Sequence, residues 1–354
     1  MDVPLQPPVA PMLARLTREL PSGEFLYEPK WDGLRCMAFR SGQHVDLRSR
    51  NQRPLGRYFP ELVEALLSIP IDRFVVDGEV VLLTSGGAGF GSLLMRLHPS
   101  ESRVARLRQE TPASFVAFDL LGLEETDVRS RPFEVRRGLL EQLLRTCDAP
   151  VFTTPITDDR EVATAWLDSF QGSGVDGVVA KHRRLPYQPG KRSMVKVKRE
   201  KSADCVVAGF RWLVDKPELG SLLLGLRDQQ GELRHVGVAS SFTRARRTEL
   251  LEELSPLIVP IEGHPWEKGF GLERSPLGRL AGAAARWSPE EMELDWIPIR
   301  PEKVCEVAYD QVDEGRFRYP ARFLRWRPDR EPHSCTYEQF ETSSDDIEEI
   351  LTLT

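Results

Sequence analysis

Apolar and polar positions change rhythm several times along this chain. FVVDGEVVLL (74–83), SFVAFDLLGL (114–123), GVVAKHR (177–183) and SMVKVKR (193–199) are rich in Val, Phe and Leu and bounded by turn residues. That pattern predicts strands. PELVEALLSI (60–69), RPFEVRRGLLEQLLRT (131–146) and DREVATAWLDSFQ (159–171) repeat their apolar positions at helical spacing, which predicts helices. The rhythm breaks at REKSAD (199–204), read as a polar linker. Beyond it CVVAGFRWL, SLLLGLRD, LRHVGVAS, KVCEVAYD and ARFLRWR predict five short strands, with a helix in TRARRTELLEELSPL (243–257) and a less regular stretch over 260–301.

Five short strands and one helix suit a small barrel of the oligonucleotide-binding type. The expected organisation is an α+β chain: a mixed-sheet domain over 1–200, a barrel domain over 201–330, and a loosely attached tail over 331–354. The length of 354 residues fits two domains, and 40% apolar with 29% charged residues fits a soluble globular protein. No apolar run is long enough to span a bilayer, and the N-terminal residues lack the pattern of a signal peptide. A cytoplasmic protein with no membrane partner is expected. The five cysteines are scattered without a Cys-x-x-Cys pair, which disfavours a disulfide framework or a thiolate zinc site.

A net charge of −6 argues, taken alone, against a nucleic-acid partner. The local distribution argues the other way. KHRRLPYQPGKRSMVKVKREK (181–201) is densely basic, and RFRYPARFLRWRPDR (316–330) interleaves arginines with Phe317, Tyr319, Phe323 and Trp326. Basic residues with aromatics between them suit phosphate contact plus stacking, although either run alone is read as a solvated face.

Two glycine motifs carry little. GSGVDG (172–177) matches a dinucleotide fingerprint, but a helix precedes it and a strand follows, the reverse of what that motif needs, so it is read as a turn. SGGAGFGSL (85–93) lacks the Gly-Lys-Ser/Thr of a phosphate loop and is read as a mobile loop. The stronger signal is a set of polar islands on apolar strands. Glu28, Lys30 and Asp32 alternate and should share one strand face. Lys196 and Lys198 should share another, with Val195 and Val197 behind them. Glu79 stands in FVVDGEVVLL without a neighbouring cation, and Asp176 leads VDGVVAK. A turn or an exposed edge explains any one island; four of them would bury charges of both signs unless a ligand or metal compensates. These residue types permit nucleotidyl transfer to a lysine. Carboxylates beside Lys30 disfavour the neutral amine, a conflict that eases if a divalent metal sits by them or if they bind groups other than Lys30.

The islands resemble, in order and spacing, the motifs of the covalent nucleotidyltransferase superfamily of DNA ligases, RNA ligases and mRNA capping enzymes. KWDGLR is similar to the nucleophile motif K-x-D-G-x-R. VDGEV, FVAFDLL, VDGVVAK and MVKVK resemble the motifs that follow it, and ARFLRWRPDR the arginine-rich last one. The match spans about 25–330 and is nearest the small bacterial ATP-dependent DNA ligases of the ligase C type.

The resemblance implies an adenylation (nucleotidyltransferase) domain followed by an oligonucleotide-binding barrel. It implies that Lys30 takes AMP from ATP, that Glu28 reads the adenine amino group, and that Phe118 stacks on adenine. Arg35 would contact ribose or phosphate and Arg50 the phosphate end. Glu79 would serve ribose and metal, Asp176 the metal (Mg2+ or Mn2+), and Lys196 and Lys198 the α-phosphate. Arg325 and Arg327, with Asp329 and Arg330, would orient pyrophosphate. The fourth motif usually carries Glu where this chain has Asp176, one methylene shorter. The implied partner is nicked duplex DNA, held weakly by a monomer, with a role in repair. An RNA ligase, a capping-type enzyme and a catalytically silent DNA-end-binding module are the alternatives.

Overall fold

A computed structural model describes residues 4–83, 90–169, 174–213, 216–267, 296–313, 315–340 and 350–351. The chain divides into two compact units, Met1–Arg199 with Thr342–Thr354, and Glu200–Glu341.

In the first unit the elements run β1 (Ala14–Thr17), β2 (Phe25–Trp31), β3 (Leu34–Ser41), β4 (His44–Ser49), α1 (Pro60–Leu67), β5 (Arg73–Leu82), α2 (Phe90–Met95), α3 (Glu101–Glu110), β6 (Ala113–Leu123), β7 (Thr126–Asp127), α4 (Phe133–Leu144), β8 (Val151–Thr153), α5 (Arg160–Ser169), β9 (Val175–His182) and β10 (Met194–Val197). Two sheets form from them. One has the order β1-β10-β9-β2; the other has β4-β3-β5-β6-β7 with β8 pairing on β6.

The strands explain the apolar runs that signalled them. In β6, Phe115 and Ala117 pack with Leu62 of α1 and Leu140 of α4, while Val116 between them packs with Trp31 and Val178 of the other sheet. β5 divides in the same way, Val76 and Val80 toward the helices and Val81 toward β2 and β9. Alternation puts successive side chains on opposite faces, and a strand buried on both reads as an unbroken apolar run.

Two glycines let these strands close up where the chemistry lies. A Cβ on Gly33, in the turn after β2, would fall 2.1 Å from the Val80 carbonyl oxygen. One on Gly177, at φ +150°, would fall 2.2 Å from that of Val197. Any side chain there would wedge the backbones apart.

The second unit contains β11 (Lys201–Leu213), β12 (Lys216–Arg227), β13 (Leu233–Ser240), α6 (Arg244–Leu254), β14 (Trp296–Tyr309), β15 (Val312–Asp313), β16 (Arg316–Phe317) and β17 (Ala321–Trp326). A closed barrel, β11-β12-β13-β17-β14, surrounds Val206, Phe210, Leu222, Leu224 and Ile299, and α6 contributes Leu250 and Leu254 to the same core. Thr243 caps α6 by accepting from the Arg246 amide at 3.3 Å. His264 and Trp266 pin a loop to the barrel: His264 Nε2 lies 3.1 Å from the Ala208 carbonyl, and Trp266 Nε1 donates to that of Leu233 at 2.8 Å.

Several sequence expectations need correction. REKSAD is not a linker throughout, because β11 begins at Lys201. The segment 332–340 is not loose. Arg227 donates its amide to the Cys335 carbonyl at 2.8 Å, the Gln339 side chain exchanges hydrogen bonds with the Asp204 backbone, and Cys335 is buried. Ile350 is fully buried in the first unit, in the cluster of Trp31 and Trp166. Part of SGGAGFGSL is helical, since α2 starts at Phe90; 85–89 lie outside the described residues, as do 172–173 of GSGVDG. No helix among the described residues is long and apolar enough to cross a membrane.

Candidate active site

β2 carries Lys30 into a cavity of about 370 Å³ in the first unit. Opposite it, β9 is irregular: Pro29 pairs with Val178 but Trp31 with Val175, so β9 uses three steps where β2 uses two. This bulge turns Asp176 onto the lysine, a local re-aiming that bulges commonly provide. Asp176 Oδ1 lies 2.5 Å from Lys30 Nζ and its Oδ2 lies 2.6 Å from Lys198 Nζ. Burial favours the neutral acid at Asp176, but the two ammonium groups outweigh it and hold its carboxyl below the ordinary range.

Glu28, two residues before Lys30, is 2% exposed. Its Oε2 lies 2.8 Å from Lys181 Nζ, and Arg137 Nη1 stands 3.6 Å from its Oε1. Burial pushes the Glu28 carboxyl above the ordinary range, outweighing the pull of Lys181 and Arg137 in the other direction.

A third network fixes Arg35. Its Nε and Nη2 donate to Asp77 at 2.7 and 2.6 Å, and the Tyr187 hydroxyl donates to the same carboxylate at 2.6 Å. Burial works against the Arg35 charge, but Asp77 more than compensates and raises its pKa. The guanidinium carbon lies 4.6 Å from the centroid of the Phe118 ring.

Glu79, on β5, lines the same cavity. Burial pushes its carboxyl up to about 8, against the pull of Arg35 and Lys30 and with the help of Asp32 and Asp77. A carboxylate so desolvated suits a bound cation, and carboxylate oxygens are the donors magnesium prefers. No group of three or more His, Cys, Asp or Glu gathers as a metal cage among the described residues. Glu79 and Asp176 are oxygen donors of the kind that would hold a magnesium ion sharing substrate phosphate.

Of the residues singled out in the sequence, Glu28, Lys30, Arg35, Arg50, Glu79, Phe118 and Lys196 all line this cavity. Lys198 and Asp176 join through the ion pair with Lys30. Val195 and Val197 are buried in the core, as the strand alternation requires. Asp32 falls just beyond β2, which ends at Trp31, and acts electrostatically on Glu79, as Lys30 does. Glu79 does have cations beside it, Arg35 and Lys30, which come from other strands. Arg325 and Arg327 belong to the second unit. Arg325 Nε donates to Glu306 at 2.7 Å, and Arg327 Nη1 donates to Asp204 at 2.9 and 3.0 Å. Sequence reasoning gave no role to Lys181, Asp77, Arg137 or Tyr187. Lys181 and Asp77 stood within quoted motifs, and their charge on apolar strands was the available signal.

The chain matches two family models: "ATP dependent DNA ligase domain" over residues 10–198 and "ATP dependent DNA ligase C terminal region" over 215–330. It is 46% identical over 344 residues to DNA ligase C2 of Mycolicibacterium smegmatis, covering 97% of each chain. It is 45% identical over 348 residues to DNA ligase C of Mycobacterium tuberculosis, covering 96% of each. Among solved structures, one from a structure–function study of Lig E DNA ligases shares the fold, with TM-score 0.56 at 17% identity over 90% of this chain and 99% of that one.

Proposed function

The chain belongs to the ATP-dependent DNA ligase family, and on that premise we propose that Lys30 carries AMP from ATP to the 5′-phosphate of a nick in duplex DNA. It is a DNA ligase that uses ATP. The observation that carries the assignment of Lys30 is its seat: a primary amine in a cavity that also presents Glu28, Phe118, Glu79 and Lys196.

In the proposed first step Phe118 and Glu28 receive the adenine, and Lys30 Nζ attacks the α-phosphorus. Lys30, an ammonium in the resting pair with Asp176, passes one proton to solvent before the attack; a P–N bond then forms, the bond to pyrophosphate breaks, and the nitrogen passes a second proton to solvent. Asp176 must loosen its hold on Lys30 for that attack. Lys196 and Lys198 offset charge on the phosphate as it transfers, and Arg325 and Arg327 orient the departing pyrophosphate. A divalent cation, magnesium or manganese, bound at Glu79 and Asp176 would add positive charge at the phosphates. AMP then passes to the 5′-phosphate of the nick, and the 3′-hydroxyl attacks that phosphate and releases AMP. Positioning and charge neutralisation dominate such transfers.

The proposed partner is nicked duplex DNA, gripped through the exposed cations of the basic runs 181–201 and 316–330, mostly by phosphate contacts. Such binding weakens steeply as salt rises. Sealing breaks in repair, as a cytoplasmic monomer, is the role proposed.

The test is to incubate the protein with magnesium and ATP labelled at the α-phosphate, then denature it. Label should stay on the chain, be absent with Lys30→Ala, and be lost to excess EDTA. Retention of label by Lys30→Ala would overturn the assignment of the nucleophile.

A further inference from the structure

Lys181 is the least expected charge in the cavity. It is 1% exposed and lines the wall between Glu28 and Phe118. Its ammonium lies 2.8 Å from Glu28 Oε2 and donates to the Phe118 carbonyl at 2.8 Å. It also stands 4.9 Å from the centroid of the Phe118 ring and 4.4 Å from that of Phe133. One side chain thus ties the carboxylate to the backbone of the aromatic residue.

Behind Glu28, Arg137 is held in place by donating to the Thr154 carbonyl at 2.6 Å and to Glu141 at 2.7 Å. Trp31, next to Lys30, donates its indole N–H to the Thr154 hydroxyl at 2.8 Å. Lys181 therefore occupies Oε2, while Oε1 is buried with no hydrogen bond of its own and Arg137 at ion-pair distance. That leaves a single acceptor atom fixed in place.

We propose that Lys181 is a positioning residue that sets the choice of purine, by fixing the Glu28 carboxyl as an acceptor at the base end of the cavity. The inference rests on the reading of the cavity as the ATP site. Adenine carries an amino donor where guanine carries a carbonyl acceptor. An acceptor-only Glu28 pairs with the first and repels the second. Without the ammonium, Glu28 would remain buried beside Asp119, with only Arg137 to offset its charge. Its carboxyl would lose that pull toward the acceptor form, and a carboxyl that holds a proton can donate to guanine.

The experiment measures label transfer to the full chain from α-labelled ATP and GTP, for the wild type, Lys181→Met, Lys181→Arg and Glu28→Gln. The wild type should prefer ATP. Lys181→Met should shrink the ATP-to-GTP ratio of kcat/KM at least tenfold, mainly through KM for ATP. Glu28→Gln should shrink it similarly, and Lys181→Arg should restore most of it. If Lys181→Met slows both nucleotides by one factor, or Lys181→Arg loses the preference while melting normally, Lys181 is only structural and the proposal falls. No label in the wild type from either nucleotide would overturn the ATP-site reading and this inference with it.

Discussion

Asp176 holds two lysines at once, with Lys30 2.5 Å from Oδ1 and Lys198 2.6 Å from Oδ2. One carboxylate thereby spaces the proposed nucleophile from a cation proposed to bind phosphate. Asp176→Ala removes that spacing and should lower the rate of lysine adenylation by about 100-fold, the scale of losing one preorganised charge in a transfer site. Asp176→Glu restores the length usual in the family's fourth motif and should stay within about tenfold of the wild type. Single-turnover labelling from ATP decides it; equal rates for Ala and Glu would remove the clamp from the mechanism.

Glu79 makes the first unit sensitive to alkali. Its carboxyl sits at about 8 in the fold against an ordinary 4.5, so the folded chain holds a proton that the unfolded chain has released. Between those values the native state binds more protons, and stability falls as pH rises, by at most about 1.4 kcal/mol per pH unit. Glu79→Gln should flatten that part of the profile. Denaturant midpoints at pH 5.5 and 8.5, without nucleotide or metal, provide the check.

His235 gives the second unit the opposite slope. Burial, with Arg316 and Arg211 nearby, holds its pKa well below the ordinary 6.5. The unfolded state binds the extra proton, so this contribution is complete above about 6.5 and is lost as the pH falls below it, again by at most about 1.4 kcal/mol per pH unit. His264 is depressed in the same direction, so His235→Gln should remove part of the acid sensitivity rather than all of it. Melting of wild type and variant between pH 4.5 and 7.5 would show converging curves, and parallel ones would refute it.

These slopes were beyond the sequence, for a reason that recurs at the site. Local pattern located Lys30, Glu79 and Lys196, because a charge inside an apolar strand stands out against its neighbours. It could not pair them. Asp176 reaches Lys30 through a bulge in β9, and Lys181 reaches Glu28 through antiparallel pairing of strands about 150 residues apart. Alternation on one strand carries no information about the partner strand's register. Asp77 shares the apolar strand FVVDGEVVLL with Glu79, but nothing in that run names its partner; on β5 it is fully buried and holds Arg35. The barrel was legible from five spaced apolar runs, but the anchoring of the chain after Glu331 rests on single contacts such as Gln339 with Asp204, which leave no periodic trace.

Arg325 and Arg327 should separate function from stability. Arg325 is 63% exposed and pairs with Glu306 on the surface, so Arg325→Ala should cost roughly 0.5 kcal/mol or less. Arg327 is bound to both Asp204 and Asp329, and Arg327→Ala should lower the melting temperature visibly. Both should slow adenylation by ATP while sparing the sealing of a nick that already carries AMP. Equal loss in the two assays would end the idea that these arginines act on pyrophosphate.

Ile350 lies in the core of the first unit although the entire second unit precedes it in the chain. On the ribosome, therefore, the nucleotide-binding unit cannot complete its packing when its own first 199 residues have emerged. It must wait, with a gap beside Trp166, until the barrel has been synthesised and the chain has come back. Domains ordinarily fold in order of their synthesis. Here the earlier one is finished by residues made after the later one, so a chain released within the barrel would leave the adenylating unit unsealed.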